Sequence, residues 1–440
     1  MSAQLVRGSR MEGGFAKDFK TVPYWWDKTP RPTLEFNNQN SRTDVAIIGS
    51  GYTGLCAGLV LARAGHSVII FDAEDAGWGC SSRNGGQIST SIKPHYNTLA
   101  GKYGDDVAFE VVKEGQNSLA WIKEFVAAEK IDCSFMVPGR FHAAHSPKQF
   151  DILINQIKQQ PKGLEVDAKI ITKNEQQREL GTDVYHGGVV YDMHASLDPA
   201  QYHKGLLQSV IEAGVTVISN CSVANLRKCS GKFELITSGG DFEAKEVIIA
   251  TNGYTGKLTP WLRRRVIPIG SYMIATECIS PDVMKELMPR HRVVSDTRKV
   301  VYYYRPSPDG SRIIFGGRVT GGDTNLNKSG HLLRKELIKI FPQIVDIKIT
   351  HSWMGYVAYT FDELPHIGNN DGIYYAMGCC GSGVGMSSYL GSKLGHTVLG
   401  SNEGKTGLDS IEFKTRPFYN GNPWFLPASV SYYRWLDRIS

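Results

Sequence analysis

The chain has 440 residues, a formal net charge of +6, 41% hydrophobic residues and 10% aromatic residues. This length allows two or more domains with a large buried core, and the thinly spread positive charge does not indicate a nucleic-acid partner. No apolar run approaches the roughly 18 residues that span a bilayer, and the first residues lack the apolar core of a signal peptide. We therefore expect a cytoplasmic protein without a membrane span.

The eight cysteines are scattered and form no CxxC pair, and no group of His, Cys and acidic residues has the spacing of metal ligands. This usage indicates reduced thiols and no metal site. Cys379 and Cys380 are adjacent, but their glycine-rich setting favours a packing role over redox chemistry.

Residues 1–40 are predicted to form an N-terminal arm, and its aromatic cluster Tyr24-Trp25-Trp26 is typical of a segment that docks onto a domain surface, with a role at the substrate mouth as the second interpretation. The next segment, residues 45–54, reads VAIIGSGYTG, and a second apolar run ends at Asp72, 23 residues after Gly49. Gly49 permits a tight strand-to-helix turn, Gly51 leaves room for a pyrophosphate, and an acid at this spacing binds ribose hydroxyls. The pattern predicts a dinucleotide site whose candidate residues are Gly49, Ser50, Gly51, Thr53, Gly54, Asp72 and Ala73.

A polar, glycine-rich segment, GWGCSSRNGGQ at residues 77–87, follows the second strand. Its many backbone N–H groups suit close approach to a flat ligand, although an ordinary surface loop is an equally good interpretation on this segment alone.

Further along, Asp198-Pro199-Ala200 predicts the start of a helix that ends near Ala213. Two short strands at 215–218 and 222–224, a hairpin over 233–245 and a separate strand from 246 are expected next. Strands at 272–277, 300–305 and 311–317 and a helix near 331–340 complete the pattern.

These elements predict an α/β fold with two domains. The first is a discontinuous Rossmann-like nucleotide domain made of 41–95, 186–260 and 351–410. The second is an α+β substrate domain with a mixed sheet, made of 96–185 and 261–350, and residues 411–440 form a C-terminal tail. Ligands are expected in the cleft between the two domains.

Four segments together resemble the FAD-dependent D-amino-acid-oxidase superfamily. They resemble especially its branch of amine and imino-acid oxidases that contains γ-glutamylputrescine oxidoreductase. The segments are the turn and acid of 45–72, the loop 77–87, the segment 249–255, and the stretch from Trp353 to Gly368 closed by 378–385.

The resemblance implies one extended, non-covalently bound FAD. Asp72 would hold the adenosine ribose, and the backbone of Val223 would meet the adenine. The remaining cofactor contacts that the resemblance implies are Gly79, Ser82, Arg83, Asn84, Gly86 and Gln87 along the ribityl chain and ring system, Thr251 and Asn252, and Gly381, Ser382, Gly383 and Val384 near the pyrimidine end.

The substrate side is implied by the segment Tyr302-Tyr303-Tyr304-Arg305. It resembles the strand that carries the carboxylate-binding arginine of amino-acid oxidases, with Arg305 at the matching position. The second arginine of glycine-oxidase-type members is absent, because Val357 to Thr360 stand there. This departure fits the amine-oxidising branch or a larger substrate that is anchored elsewhere. The candidate catalytic residues are Tyr254, Tyr302, Tyr304, Arg305 and Trp353.

The expected activity is FAD-dependent oxidation of a C–N bond in a primary or secondary amine, such as a γ-glutamylated polyamine, by hydride transfer to flavin N5. The product would be an imine or aldehyde, with hydrogen peroxide when oxygen, rather than another electron acceptor, takes the electrons. An amino- or imino-acid oxidase of the proline, pipecolate or N-methyl amino acid type is the first alternative. A flavoprotein subunit that transfers electrons within a larger assembly is the second, and the oligomeric state is left open.

Overall fold

The computed structural model describes residues 13–34, 41–318, 320, 322 and 324–439, and its strands fall into two large sheets and one short pair. In this part of the chain, no helix has the length and apolar character needed to cross a membrane. The strands are β1 (Phe15–Lys20), β2 (Arg42–Ile48), β3 (Val68–Phe71), β4 (Gln87–Ile88), β5 (Arg140–Ala143), β6 (Ala168–Ile171), β7 (Gly188–Tyr191), β8 (Ala195–Ser196), β9 (Thr216–Ile218), β10 (Val223–Cys229), β11 (Lys232–Thr237), β12 (Gly240–Ile249), β13 (Ile267–Thr276), β14 (Val293–Asp296), β15 (Tyr302–Pro306), β16 (Ile313–Gly317), β17 (Ile349–Tyr359), β18 (His366–Asn370) and β19 (Ile373–Met377).

The helices begin and end with recognisable signals. Asp198, for example, accepts hydrogen bonds from the backbone N–H groups of Ala200 and Gln201, and Pro199 occupies the first helical position. The helices are α1 (Trp25–Lys28), α2 (Tyr52–Arg63), α3 (Tyr96–Tyr103), α4 (Asp105–Ala128), α5 (Pro147–Lys158), α6 (Pro199–Glu212), α7 (Pro260–Arg263), α8 (Pro281–Leu287), α9 (Leu326–Ile340), α10 (Gly383–Val398) and α11 (Leu426–Ile439).

The first sheet has eight strands and a parallel centre. β2 pairs in parallel with β3 and β12, β3 with β9, and β12 with β19. The central strands are continuous apolar runs, as burial on both faces requires. α2 crosses α10 closely on one face: a Cβ atom at Gly391 would lie 2.5 Å from the Thr53 carbonyl oxygen. The carboxyl ends of the parallel strands therefore meet at one edge, where ligands bind in open α/β sheets.

The second sheet has nine strands in the order β1-β17-β13-β16-β15-β14-β5-β7-β6. Side chains alternate between its two faces, as a strand requires. Tyr272 and Ile274 pack in a core with α9, whereas Met273 and Ala275 pack on the other face with Trp25 and Trp353. This second face, which we call the loop face, covers the loop 77–87.

The mixed α/β fold expected from the sequence is confirmed, and so is the helix from Pro199, which ends at Glu212. The predicted break at residue 246 is wrong, because β12 runs unbroken from Gly240 to Ile249. Its first half pairs with β11 and its second half with β19, while β2 runs alongside both halves.

The predicted domain limits stay a prediction, and sheet membership would move them at three places. β7 (188–191) and β17 (349–359) pair in the nine-stranded sheet, although most of each was assigned to the nucleotide domain. α4 was assigned to the substrate domain, yet it packs in one core with α2 and α10. Pairing or packing with elements that are distant in the chain decides which domain each of these elements joins. The local sequence pattern carries no information about such partners.

Candidate active site

The glycine turn joins β2 to α2. Gly49 has a φ of +109°, and a Cβ atom there would lie 2.8 Å from the Ala250 carbonyl oxygen at the end of the neighbouring strand β12. At Gly54 a Cβ atom would lie 2.0 Å from the Gly49 oxygen. The turn and the strand end are therefore packed so closely that only glycine fits, and the N-terminus of α2 lies at the strand ends, where it can hold a phosphate.

Asp72 directly follows β3 and lies beside the glycine turn. Its Oδ2 accepts hydrogen bonds from the Ser50 N–H at 2.9 Å and the Ser50 hydroxyl at 2.6 Å. Its carbonyl oxygen accepts from the Cys221 N–H at 2.7 Å, which brings the start of β10, and so Val223, to the same edge. Ala73 follows Asp72 and is exposed. This placement suits a carboxylate that accepts from ribose hydroxyls.

The loop 77–87 is braced by its own side chains. The Asn84 amide donates to the Cys80 carbonyl at 3.0 Å and accepts from the Gly86 N–H at 2.8 Å. The Ser82 hydroxyl donates to the Gly77 carbonyl. Gly86 has a φ of +66°. The polar side chains of Asn84 and Ser82 thus fix the shape of the loop. The backbone groups of the loop are then the ones that can face a ligand.

Three indole groups from outside the loop donate hydrogen bonds to it. The Trp25 Nε1–H donates to the Asn84 carbonyl at 2.9 Å, and the Trp353 Nε1–H donates to the Arg83 carbonyl at 2.7 Å. The Trp26 Nε1–H donates to the Ser82 hydroxyl at 2.8 Å. The N-terminal arm is therefore in contact with the loop of the site. The sequence interpretation placed such a role second to surface docking, because an aromatic cluster carries no sign of its partner.

Arg83, a residue of the loop, stacks between two of the surrounding tryptophan rings. Its Cζ lies 4.5 Å from the Trp78 ring centre and 4.9 Å from that of Trp26, and its Nη1 donates to the Met354 carbonyl at 3.0 Å. Burial lowers the pKa of this guanidinium, which remains cationic. The stacked position joins the loop to β17 and the arm.

Arg305 lies on the loop face, with part of its guanidinium bonded to backbone carbonyls. Its guanidinium is 2% exposed and donates to the carbonyl oxygens of Leu197 at 2.8 Å, Pro306 at 3.0 Å and Gly86 at 3.3 Å. Burial lowers its pKa to about 10, and Asp198 partly opposes this shift. Arg305 thus anchors the back of the loop, its Nη2 is buried without a hydrogen-bond partner among the described residues, and its ligand role stays a prediction.

Gln87, also predicted to contact the cofactor, turns toward the nine-stranded sheet. Its Nε2 donates to the carbonyl oxygens of Tyr304 at 3.2 Å and Val294 at 3.4 Å. Its side chain therefore fastens the end of the loop to β14 and β15, and only its backbone remains a candidate cofactor contact.

The aromatic residues predicted for the substrate side, in and around 302–304, lie on both faces of the nine-stranded sheet. Tyr302 and Tyr304 pack with Phe315 on the face that carries α9, so their placement argues against substrate contact. Tyr303, which the sequence interpretation passed over, lies on the loop face. A Cβ atom at Gly85 would lie 3.1 Å from its ring, and its hydroxyl lies 2.9 Å from that of Ser271. Tyr303 is half-buried and therefore borders open space.

Tyr254 lies behind the loop. Its hydroxyl accepts from the Tyr356 N–H at 3.3 Å, and its ring packs edge-on to Trp78 and beside Gly79. Burial raises its pKa, so the phenol stays neutral. Of the predicted catalytic residues, Tyr254, Trp353 and, at its back, Arg305 are thus brought against the loop.

The N-terminus of α10 faces open space. A Cβ atom at Gly381 would meet no atom of the described residues within 4 Å, and one at Gly383 would come only within 3.9 Å of Ser387. The Asn252 side chain accepts from the Gly378 N–H at 3.0 Å, which ties the Thr251–Asn252 strand end to this turn. The positive end of a 16-residue helix at such an opening stabilises negative charge. Val384 is buried in the first turn of the helix.

Cys379 and Cys380 precede this helix and are both buried. Burial raises the pKa of Cys379 to about 11 and that of Cys380 to about 12. Both therefore remain neutral thiols at neutral pH, the form expected of packed cysteines.

Two hydrogen bonds join the loop region to the helix N-termini on either side of it, those of α2 and α10. The Tyr52 N–H at the start of α2 donates to the Ser81 hydroxyl at 3.0 Å, which joins the glycine turn to the loop. The Ser382 hydroxyl donates to the Ser91 carbonyl at 2.8 Å, which joins the segment after the loop to α10. A tight phosphate turn, a ribose acid, a braced loop and an open helix end in this order fit an extended dinucleotide with a flat ring system, such as FAD.

Comparison with known proteins agrees with this geometry. Residues 44–396 match the family model described as FAD dependent oxidoreductase, abbreviated DAO. The chain is similar to γ-glutamylputrescine oxidoreductase of Escherichia coli strain K12, with 29% identity over 407 residues that cover 91% of this chain and 94% of that protein.

Two solved structures share the fold. Glycine oxidase from Geobacillus kaustophilus superposes with a TM-score of 0.73 at 22% identity, covering 86% of this chain and 99% of that chain. L-proline dehydrogenase from P. horikoshii superposes with a TM-score of 0.69 at 18% identity, covering 89% and 99%. With a family model that spans most of the sequence, the chain belongs to the DAO family of FAD-dependent oxidoreductases.

Proposed function

We propose that this enzyme oxidises the C–N bond of a primary or secondary amine and releases an imine or aldehyde. The observation that carries the proposal is the character of the loop face. Met273, Tyr303 and Trp353 pack on it, and the Nε and Nη1 groups of Arg305 beside it donate to backbone carbonyls. Similarity to the E. coli γ-glutamylputrescine oxidoreductase supports the same reaction class.

The surroundings of this face favour the form of an amine that can be oxidised. Loss of hydride from the α-carbon requires a neutral amine, and low-polarity surroundings disfavour the ammonium form. Tyr303 would hold the α-carbon against the loop, and the buried Trp353 would keep water out of the face behind it. FAD, when bound, supplies the two-electron acceptor for such a step. Water that enters afterwards would hydrolyse the imine to an aldehyde, with release of ammonia from a primary amine or of the remaining amine from a secondary one.

The chain's own residues would hold FAD as the site geometry suggests. Asp72 would accept from the ribose hydroxyls, the α2 N-terminus would face the pyrophosphate, and the α10 N-terminus would face the pyrimidine end. We propose non-covalent attachment, because Cys379 and Cys380 are buried neutral thiols held by Ser387 and Thr360. The individual cofactor contacts remain proposals.

A reducing compartment fits the cysteines, since all eight are free thiols. We therefore propose a cytoplasmic enzyme that passes electrons to oxygen or to another acceptor. An imino-acid oxidase remains the alternative in chemistry, and it would use the Nη2 of Arg305, which is bonded to no described residue, to bind the substrate carboxylate.

The test is turnover by the purified, FAD-loaded chain with polyamines, γ-glutamyl amines, N-methyl amino acids and cyclic imino acids. The proposal expects oxygen uptake and aldehyde formation with at least one amine of the first two groups. Preference for cyclic imino acids would replace it by the alternative chemistry. A flavin that accepts electrons only from a partner protein would indicate an electron-transfer subunit.

A further inference from the structure

The helix α11 carries its large apolar side chains on the face that is turned to solvent. Tyr432 is 55% exposed, Trp435 54% and Ile439 60%. These residues stand at positions i, i+3 and i+7, so they form one stripe along the helix. A helix on the surface of a globular protein normally buries such a stripe against the core. α11 therefore presents to solvent the face that most surface helices bury, and a stripe of this kind indicates an interaction surface.

The opposite face of α11 is fixed to the rest of the protein by polar contacts. Asp437 accepts a hydrogen bond from the Lys299 N–H at 2.7 Å, in the turn between β14 and β15. The Arg434 Nη2 donates to the Arg318 carbonyl at 3.0 Å, and Val430, on the same side of the helix, is buried. The helix cannot rotate to bury its apolar stripe without breaking these contacts.

The turn that leads into α11 exposes two more aromatic side chains. Phe418 is 94% exposed and has a φ of +63°, which is uncommon for a bulky residue. The next residue, Tyr419, is buried and its hydroxyl donates to the Val266 carbonyl at 2.7 Å, so the turn is held in place. Trp424 is 69% exposed, and its ring packs edge-on to that of Phe425. The C-terminal apolar surface, as we call it, consists of Phe418, Trp424, Tyr432, Trp435 and Ile439.

The charged side chains of this segment are mainly basic. From Glu412 onward the chain has four basic and two acidic residues. Glu412 pairs with Lys414 at 3.7 Å, and the acid of α11 is bonded to backbone N–H groups. Arg416 and Arg438 are exposed, and neither forms an ion pair with another described residue. The apolar surface is therefore accompanied by cations that are free to meet an anionic partner.

An anionic lipid surface suits this combination better than a second copy of the chain does. A two-fold contact places the same patch of both copies face to face, so the arginines of one copy would approach those of the other. Trp and Tyr side chains are favoured at the boundary between lipid headgroups and acyl chains, and nearby Arg side chains attract anionic headgroups. The anionic leaflet of a cell membrane faces the cytoplasm, the compartment proposed for this enzyme.

We propose that α11 and the turn before it dock the enzyme on the surface of an anionic membrane, which the chain does not need to cross. The apolar side chains of Trp424, Trp435 and Ile439 would enter the headgroup boundary, and Arg416 and Arg438 would meet lipid phosphates. This inference goes beyond the proposed function and does not depend on which amine is oxidised.

The experiment measures binding of the FAD-loaded full chain to vesicles by co-sedimentation. The vesicles contain phosphatidylcholine alone or an equal mixture of phosphatidylcholine and phosphatidylglycerol. The wild type is compared with the double variant Trp435→Ser/Ile439→Ser, with Arg438→Gln and with the control Met193→Ser. Met193 is 52% exposed in the turn between β7 and β8, outside the C-terminal segment. Sedimentation velocity without lipid reports the oligomeric state.

The wild type should bind the mixed vesicles about tenfold or more tightly than the neutral ones, and an increase from about 0.1 M to about 0.5 M salt should weaken this binding. The double variant should bind the mixed vesicles about tenfold or more weakly, and Arg438→Gln about fivefold, because apolar insertion and charge each contribute. Met193→Ser should bind as the wild type does. Flavin content and turnover of a soluble amine should be equal in all variants.

Failure of the wild type to bind the mixed vesicles, or equal binding by the double variant and the wild type, would overturn the inference. A lipid-free dimer that the double variant dissociates would also overturn it, since a second copy would then occupy the surface. If the double variant loses its flavin, the salt dependence of the wild type and the comparison with Arg438→Gln decide the question.

Discussion

Tyr303 and Tyr304 are neighbours in the chain, yet their side chains lie on opposite faces of the nine-stranded sheet. The Tyr303 hydroxyl lies 2.9 Å from the Ser271 hydroxyl and its ring borders the loop, whereas the Tyr304 ring stacks on Phe315 at 5.4 Å. The two-residue period of a strand causes this division. It places Tyr303 and Arg305 together on the loop face.

We predict that Tyr303→Phe lowers kcat/KM for the preferred amine about fivefold, because one hydrogen bond worth about 1 kcal/mol is lost where the substrate is held. Tyr302→Phe, on the other face, is the matched control and should stay within about twofold. Steady-state kinetics at equal flavin content measure both. An equal loss in the two variants would show that the face does not decide substrate contact.

Arg305→Met should destabilise the protein by about 2–4 kcal/mol, because buried carbonyl oxygens lose their donor. The carbonyl oxygen of Leu197 loses its 2.8 Å partner. Urea unfolding measures the free energy, and flavin content reports on the loop that Arg305 anchors. Unchanged stability together with a KM that rises only for a carboxylate-bearing substrate would restore the ligand role first predicted.

Trp25→Phe should weaken FAD binding about fivefold, because the ring still fills its pocket but the donor to the Asn84 carbonyl is gone. Trp424→Phe serves as the control, since that side chain is 69% exposed. Equilibrium titration of the flavin-free proteins with FAD gives both dissociation constants. Identical constants would mean that the arm does not support the loop.

Asp72→Asn should raise the Kd for FAD about tenfold, because hydrogen bonds from ribose hydroxyls to a charged acceptor are the stronger kind. Asp44→Asn is closely matched, since Asp44 also accepts from a serine N–H and hydroxyl, those of Ser67, away from the strand ends. Asp44→Asn should lower stability without changing the affinity for FAD. The prediction is wrong if the two variants bind FAD equally well.

The unfolding free energy should fall in mild acid through His142. Burial, and then the charge of Arg140, lower its pKa to about 3 from an ordinary value near 6.5. The folded state therefore binds fewer protons than the unfolded chain in this window, and stability that is complete above about pH 6.5 is lost as the pH falls. The loss from this group is about 2 kcal/mol at about pH 5.

The buried His194, whose pKa burial also lowers, adds a loss of the same sign. His142→Gln removes one titrating group and should flatten the pH dependence by about 2 kcal/mol over this interval. Urea unfolding at about pH 6.5 and at about pH 5 measures the change in unfolding free energy for the variant and the wild type. Parallel curves for the variant and the wild type would contradict the assignment to His142.

The nucleotide half of the site could be predicted from the sequence because its requirements are local. Gly49 needs a positive φ and close approach to a strand end, and Asp72 follows at a spacing fixed by one helix and one strand. The loop 77–87 was recognisable by resemblance, but the bracing role of Asn84 and the turn of Gln87 toward the sheet depend on tertiary partners.

The substrate side was harder to predict because it depends on which face of a strand meets the loop. Applying the two-residue period to β15 would have paired Arg305 with Tyr303 instead of Tyr302 and Tyr304. The loop carbonyl and hydroxyl that accept from Trp25 and Trp26 could not be read from the arm itself, since these partners come from a distant segment.

The most direct test of amine oxidation is anaerobic mixing of the FAD-loaded protein with the amine panel while the absorbance of oxidised flavin is followed. The account predicts complete, amine-dependent bleaching at a saturable rate, with one imine or aldehyde formed per flavin. A protein that binds FAD but whose flavin stays oxidised with every amine, while a chemical reductant still bleaches it, would contradict the account.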